Sequence, residues 1–104
     1  MQIEIHEDAL SDLKQSYWFY ENQQAGLGDY FIDTVYSEIE SLVIFAGVHR
    51  KIFGVYRLLV RKFPYAVYYD TESGRVDVWS ILDCRRDPKW IKAKIVRSRS
   101  RKPK

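Results

Sequence analysis

The spacing of apolar residues changes near Gly54, and this change constrains the fold more than any other feature of the chain. Before it, apolar residues recur every three or four positions along two segments, which is the pattern of amphipathic helices. After it, short segments rich in Val, Tyr, Leu and Ile follow a period of two, which is typical of strands. The sequence therefore predicts an α+β protein, with helices packed on an antiparallel sheet.

Two helices joined by a short turn are predicted in the first half, after an N-terminal strand QIEIH (2–6). The first helix begins near Glu7 and carries Leu10, Leu13, Tyr17 and Tyr20 at helical spacing. The second runs from about Leu27 to Phe45, with one apolar stripe. Its members are Phe31, Val35, Ile39, Leu42 and Phe45. Because Gly26 and Gly28 interrupt the pattern, the two helices are expected to form a hairpin.

Three strands and a short helix are predicted in the second half. The strand segments are GVYRLLV (54–60), YAVYYD (65–70) and RVDVWSIL (75–82). Asp87 can cap the last helix and Pro88 suits its first position. The predicted order is β-α-α-β-β-β-α, with the hairpin covering one face of the sheet and the first strand joining beside the meander. Residues 1–96 are predicted to be one domain and 97–104 a basic, disordered tail.

Composition excludes several classes of protein. The single cysteine, Cys84, rules out an internal disulfide and fits a reducing compartment, so the expected location is cytoplasmic. The N-terminus lacks the pattern of a signal peptide, and no apolar run is long enough to span a membrane. His6, His49 and Cys84 are scattered, so no metal site and no cofactor is predicted. Arg85 and Arg86 could activate the Cys84 thiol, but the pattern favours a buried small residue.

Charge is divided unevenly along the chain. Residues 1–49 contain nine acids and one lysine, for a net charge of −8, whereas residues 50–104 contain 16 cations and five acids, for +11. The two values give the overall charge of +3. Such a division indicates a separate partner for each face, or two halves that attract each other without a partner.

The stretch RKFPYAVYYD (61–70) combines a predicted core strand with a basic turn. Strand ends in a meander lie close together, so Arg61 and Lys62 are expected beside Arg85 and Arg86. We call these four residues the basic edge. Tyr65 and Trp90 are expected to flank it. Cations with aromatic neighbours suit nucleic acid or an acidic peptide, although a merely solvated rim has the same composition.

Four segments carry a resemblance to a known family: an A-x-x-D-L segment (Ala9, Asp12, Leu13), GLGDYF, YRLLVRKFPYAVYY and CRRDP. With these segments in this order, the chain resembles the RelE/ParE toxin superfamily of type II toxin–antitoxin modules over residues 2–96. The resemblance implies a small basic plasmid-stabilisation toxin. It implies a cognate antitoxin, whose C-terminal segment wraps the hairpin and sheet. Operator DNA would be bound only through the antitoxin.

The superfamily contains two mechanisms. RelE-like members cut messenger RNA on the ribosome without metal, whereas ParE-like members block DNA gyrase. Carried over by position, Arg57 and Arg85 match nuclease cations, but Leu59 and Ala66 stand where cations are expected. Near Ile91 a tyrosine is missing, and Trp90 cannot transfer a proton.

These departures favour a ParE-like toxin that binds its target, with the basic edge, Tyr65 and Trp90 as the contact residues. The first alternative is a RelE-like endoribonuclease that uses Arg57, Arg85 and Arg86, or Arg61 in substitution. The second alternative is a nucleic-acid-binding module, which would bind bare DNA or RNA with a steep dependence on salt.

Overall fold

Five strands form one mixed sheet in the computed structural model, which describes residues 1–100. The strands are β1 (Gln2–Ile5), β2 (Lys51–Ile52), β3 (Val55–Leu59), β4 (Tyr65–Glu72) and β5 (Arg75–Asp83). Their order across the sheet is β1-β5-β4-β3-β2. β1 pairs with β5 in parallel, and the other pairs are antiparallel. The predicted α+β class is confirmed, and β1 joins the meander at its β5 side. The sheet is mixed where an antiparallel one was predicted, and β2 is a strand that the sequence did not predict.

The helices are α1 (Glu7–Glu21), α2 (Leu27–Glu40), α3 (Leu42–Phe45) and α4 (Pro88–Ser100). α1 and α2 form the predicted hairpin. Asp87 caps α4, since its carboxylate accepts a hydrogen bond from the backbone N–H of Lys89 at 2.9 Å. Within residues 1–100, none of these helices has the length and apolar character needed to cross a membrane.

Both faces of the sheet are covered, whereas the sequence predicted cover on one. Successive side chains of a strand point to opposite faces. In β4, Val67 and Tyr69 pack with the hairpin, while Ala66 and Tyr68 pack with Ile91 and Ile95 of α4. The run AVYY is therefore buried on both sides.

The Gly26–Gly28 turn is built around Glu21. The Glu21 carboxylate accepts hydrogen bonds from the backbone N–H groups of Gly26 and Gly28, each at 3.0 Å. A Cβ atom on Gly28 would lie 2.8 Å from the Tyr17 carbonyl oxygen. Only glycine lets α1 and α2 approach this closely, which accounts for the GLGDYF segment.

Three expectations from the sequence are wrong in detail. The second helix breaks at Ser41, whose hydroxyl donates to the Glu38 carbonyl at 2.6 Å, so α2 and α3 are separate. Leu10 and Phe45 fit the helical period but are exposed. The segment predicted to be disordered is helical over 97–100, and residues 101–104 lie outside the described part of the chain.

Candidate functional site

Two turns lie side by side at one end of the sheet, between β3 and β4 and between β5 and α4. The backbone N–H of Cys84 donates to the Pro64 carbonyl at 2.7 Å, and Tyr65 faces Asp83 across the sheet. The turns that carry the two halves of the basic edge are therefore neighbours.

The side chains of the β3–β4 turn extend toward α2. Arg61 Nε lies 3.6 Å from a Glu38 carboxylate oxygen, and Lys62 Nζ lies 5.6 Å from the centre of the Tyr30 ring. Phe63 anchors the turn, since its ring centre lies 5.1 Å from that of Phe31. This half of the basic edge is thus fixed to the hairpin.

The β5–α4 turn is organised by Asp83. Its carboxylate accepts hydrogen bonds from the Arg85 guanidinium at 2.7 and 3.0 Å and from the Arg85 backbone N–H at 2.8 Å. The hydrogen bonds from Arg85 lower the pKa of Asp83. Arg86 instead stacks over Trp90, with 3.8 Å between the guanidinium carbon and the ring centre. Arg85 is largely neutralised at this end of the sheet, whereas Arg86 lies over an aromatic ring.

An open cavity of about 310 Å³ lies between α1, the end of β5 and α4. Arg86, Trp90 and Tyr65 contribute to its lining, although Tyr65 is only 7% exposed. Asp12 and Lys94 form a 2.9 Å ion pair in its wall. Burial raises the pKa of Asp12, despite the opposing effect of Lys94. This part of the basic edge therefore borders a polar cleft.

The positions at which the expected cations and tyrosine are missing lie on the α4 side of the sheet. There Leu59, which is 55% exposed, pairs with the fully buried Ala66. Ile91 is 5% exposed and packs into the core. Tyr68 is buried on this face, and burial raises its pKa to about 12. These positions are therefore apolar, and they offer no group suited to proton transfer near neutral pH.

The three candidate catalytic arginines have different immediate surroundings. Arg57 pairs with Tyr68 across the sheet and interacts electrostatically with it on the α4 side. Arg85 interacts electrostatically with Tyr20 and Tyr65, which belong to the core on the hairpin side. Arg86 lies in the cleft beside α4, over the Trp90 ring.

Cys84 lies half-buried after β5, and burial raises the pKa of its thiol. This direction favours the unreactive thiol form. Cys84 is therefore a packing residue next to Tyr68, as the sequence favoured.

The sequence did not reveal a second polar cluster, centred on Asp77 in β5. Its carboxylate accepts a 3.1 Å hydrogen bond from Arg75 Nε and lies 2.8 Å from His6 Nε2. The signal was an acid flanked by valines in a predicted strand. Glu4, His6 and Asp77 could offer three metal-ligand atoms within 4.8 Å of one another. Arg75 and His6 already contact Asp77, so the cluster is explained as a hydrogen-bonded network.

Both helices of the hairpin carry exposed aromatic rings, and α2 also carries exposed acids. The exposed aromatic residues are Trp18, Phe19, Tyr30 and Tyr36. Asp29, Asp33 and Glu40 are exposed on α2. Exposed aromatic residues of this kind are enriched at protein interfaces.

Comparison with known proteins agrees with this architecture. Residues 3–88 match the family model of the ParE toxin of the type II toxin–antitoxin system parDE. A solved chain of the chromosomal ParDE TA system from P. aeruginosa is similar, with a TM-score of 0.70 and 15% identity. The similarity covers 78% of this chain and 92% of that chain. No curated protein matches the sequence. Because the family model covers most of the chain, this protein belongs to the ParE toxin family of type II toxin–antitoxin systems.

Proposed function

We propose that this protein acts in the bacterial cytoplasm as a toxin that arrests growth by binding DNA gyrase, without cutting nucleic acid. The observation that carries the proposal is the apolar pair Leu59 and Ala66, at the positions where a nuclease of this superfamily places cations. Each preorganised donor of this kind contributes about 2.7–4 kcal/mol to the transition state. Gyrase is the target that the resemblance to ParE implies.

The contact surface in this proposal is the basic edge with Trp90. Arg61, Lys62, Arg85 and Arg86 are exposed, and they lie on two turns joined by the Cys84–Pro64 hydrogen bond. Aromatic residues and arginines are the side chains that most often carry binding energy at interfaces. Tyr65 supports this surface from within, since it is buried beneath the cleft.

The hairpin supplies the surface for the antitoxin. The family implies an antitoxin partner, and we propose that its C-terminal segment covers Trp18, Phe19, Tyr30 and Tyr36. The exposed acids of α2 favour cations in that segment. Operator DNA would then be bound only through the antitoxin.

Induction of the toxin alone in a bacterial host tests the mechanism. We expect growth arrest with intact messenger RNA by primer extension, and filaments with damaged nucleoids by microscopy. Arrest with codon-spaced cuts in the messenger would instead establish a ribosome-dependent nuclease. Co-expression of the neighbouring antitoxin gene should restore growth, and failure to do so would contradict the proposed neutralisation.

The Arg57→Ala variant separates the two mechanisms further. A nuclease that depends on Arg57 loses activity, whereas a toxin that binds through the basic edge keeps it. Loss of growth arrest by Arg57→Ala at an unchanged melting temperature would contradict the binding mechanism.

A further inference from the structure

Residues 85–99, most of which belong to α4, are unusually basic, but only some of their cations form ion pairs within the fold. Residues 85–99 contain seven cations and a single acid, Asp87. Lys94 pairs with Asp12 at 2.9 Å, and Arg99 pairs with Asp70 at 3.2 Å. These pairs fasten α4 to α1 and to β4.

The remaining cations of α4 lie on its outer side. Lys89, Lys92 and Arg97 are exposed, and none of them forms an ion pair with an acid of residues 1–100. At 100° per residue, Lys89 and Arg97 lie on the face opposite the buried Ile91 and Ile95. Lys92 lies at the border of that face, about 60° around the helix from Lys89. From Lys89 to Arg97 the row extends about 12 Å along the helix axis.

This arrangement costs stability within the fold. Like charges three or four positions apart on a helix repel each other, as Lys89 and Lys92 do. Solvated helices normally intersperse both signs, but α4 contains no acid from Pro88 to Ser100. A row of unpaired cations with no compensating acid fits a polyanionic partner.

We propose that the outer face of α4 binds the phosphate backbone of nucleic acid, through Lys89, Lys92 and Arg97. Phosphate contacts give affinity without apolar anchors, whereas a protein partner needs a buried apolar centre. Val96 is the exposed aliphatic residue on this face. A lipid surface requires a free apolar face, but that of α4 is packed on the sheet.

This inference goes beyond gyrase binding and does not depend on it. The three residues lie outside the basic edge, so they add a contact with nucleic acid to the contact with the target protein. Binding through backbone phosphates is expected to be independent of base sequence.

Fluorescence anisotropy of the full-length toxin tests the proposal without gyrase or antitoxin. The probes are two unrelated DNA duplexes and one RNA duplex, each of about 20 base pairs, over about 50–200 mM salt. The test variant is Lys89→Gln with Lys92→Gln and Arg97→Gln. The matched control, Lys14→Gln with Arg50→Gln and Lys51→Gln, removes the same charge from exposed positions elsewhere.

We expect the wild type to bind both DNA sequences equally, with an affinity that falls steeply with salt. The α4 variant should reduce the slope of log K against log salt by about 2.7, since each phosphate contact contributes about 0.9. The control should keep most of the wild-type slope. The ratio of DNA to RNA affinity then identifies which backbone the helix prefers.

An equal loss in the α4 variant and the control would overturn the proposal, because net charge alone would explain binding. Absence of duplex binding by the wild type would overturn it too, as would binding to anionic vesicles in preference to duplex. Circular dichroism must show the same helix content in all three proteins, and if the triple variant unfolds, Lys89→Gln alone should reduce the slope by about 0.9.

Discussion

Asp12 of α1 accepts a hydrogen bond from the backbone N–H of Ile81, 3.0 Å away, at a point where β5 has no neighbouring strand on that side within residues 1–100. β1 ends at Ile5, opposite Val78. The carboxylate therefore replaces the next strand at the edge of β5. Since Asp12 also pairs with Lys94, one side chain joins α1, β5 and α4 around the cleft.

Asp12→Ala should destabilise the protein by about 2–3 kcal/mol. The substitution leaves the buried N–H of Ile81 without an acceptor, which costs about 1–3 kcal/mol, and removes the partner of Lys94. Asp12→Asn should cost less than about 1 kcal/mol, because an amide oxygen can still accept the bond. Urea unfolding of both variants measures the difference.

The exposed Asp33→Ala variant on α2 is the control, and its effect should remain within about 0.5 kcal/mol. Equal losses for the alanine and asparagine variants of Asp12 would mean that the charge, and not the acceptor, stabilises this junction.

The ionisation of Asp12 should lower stability as pH rises. Because burial raises the folded pKa of Asp12 above its unfolded value of about 3.9, the folded state binds more protons between these two values. Stability therefore falls as pH rises from about 4 through the folded pKa of Asp12. Asp12→Asn should remove this contribution. As pH rises from about 4 through the folded pKa of Asp12, the unfolding free energy of the variant should therefore increase relative to that of the wild type.

Asp83 should have the opposite dependence. Arg85 lowers its folded pKa, so its contribution is present above the unfolded value of about 3.9 and is lost as pH falls through the folded pKa. Asp83→Asn should therefore reduce the loss of unfolding free energy that accompanies a fall in pH below about 4. Chemical denaturation between acid and neutral pH measures this, with Asp33→Asn as the exposed control. If the variant and the wild type lose the same unfolding free energy as pH falls, the Asp83–Arg85 pair contributes nothing to stability.

Gly28→Ala should destabilise the hairpin by about 1–3 kcal/mol, the usual cost of overpacking. The added Cβ would lie 2.8 Å from the Tyr17 carbonyl oxygen, and a backbone atom cannot rotate away. Ser37→Ala, at an exposed position of the same helix, should change stability little. A thermal melt of both variants compares them. If Gly28→Ala melts with the wild type, α1 and α2 can separate without cost, and the GLGDYF segment needs another explanation.

Most of the order of elements was predictable because it depends on local patterns: hydrophobic period, the Gly26–Gly28 turn and the Asp87–Pro88 helix start. The short elements α3 and β2 were not predicted. The extent of α4 was not predicted either. No apolar residue follows Val96, yet Ser98 is buried, donating to Asp8 at 2.9 Å and bonding with Ser80 at 3.1 Å. Hydrogen bonds between polar residues that are distant in the sequence cannot be predicted from the spacing of apolar residues.

The sequence could predict that the two basic turns lie close together. It could not predict which way their side chains and those of the strands point. Strand order alone brings the two basic turns together. Strand register decides the face of a strand residue, and it places Arg57 on the α4 side. Arg85 lies in the turn after β5, where Asp83 holds its side chain. A one-residue change in register would reverse that assignment, which is why sequence spacing could not give it.

Arg85→Ala combined with Arg86→Ala should abolish growth arrest while leaving the fold intact. At interface hot spots, truncation of an arginine costs about 2 kcal/mol or more in binding. Both side chains are exposed, and the Arg85–Asp83 pair is partly solvated, so the loss of stability should be small. Growth after induction at matched expression measures toxicity, and a melting temperature within about 4–8 °C of the wild type establishes folding.

Arg50→Ala with Lys51→Ala removes the same charge from the opposite edge of the sheet and should remain toxic. If the double arginine variant still arrests growth, the basic edge does not contact the target, and the contact must lie elsewhere on the molecule.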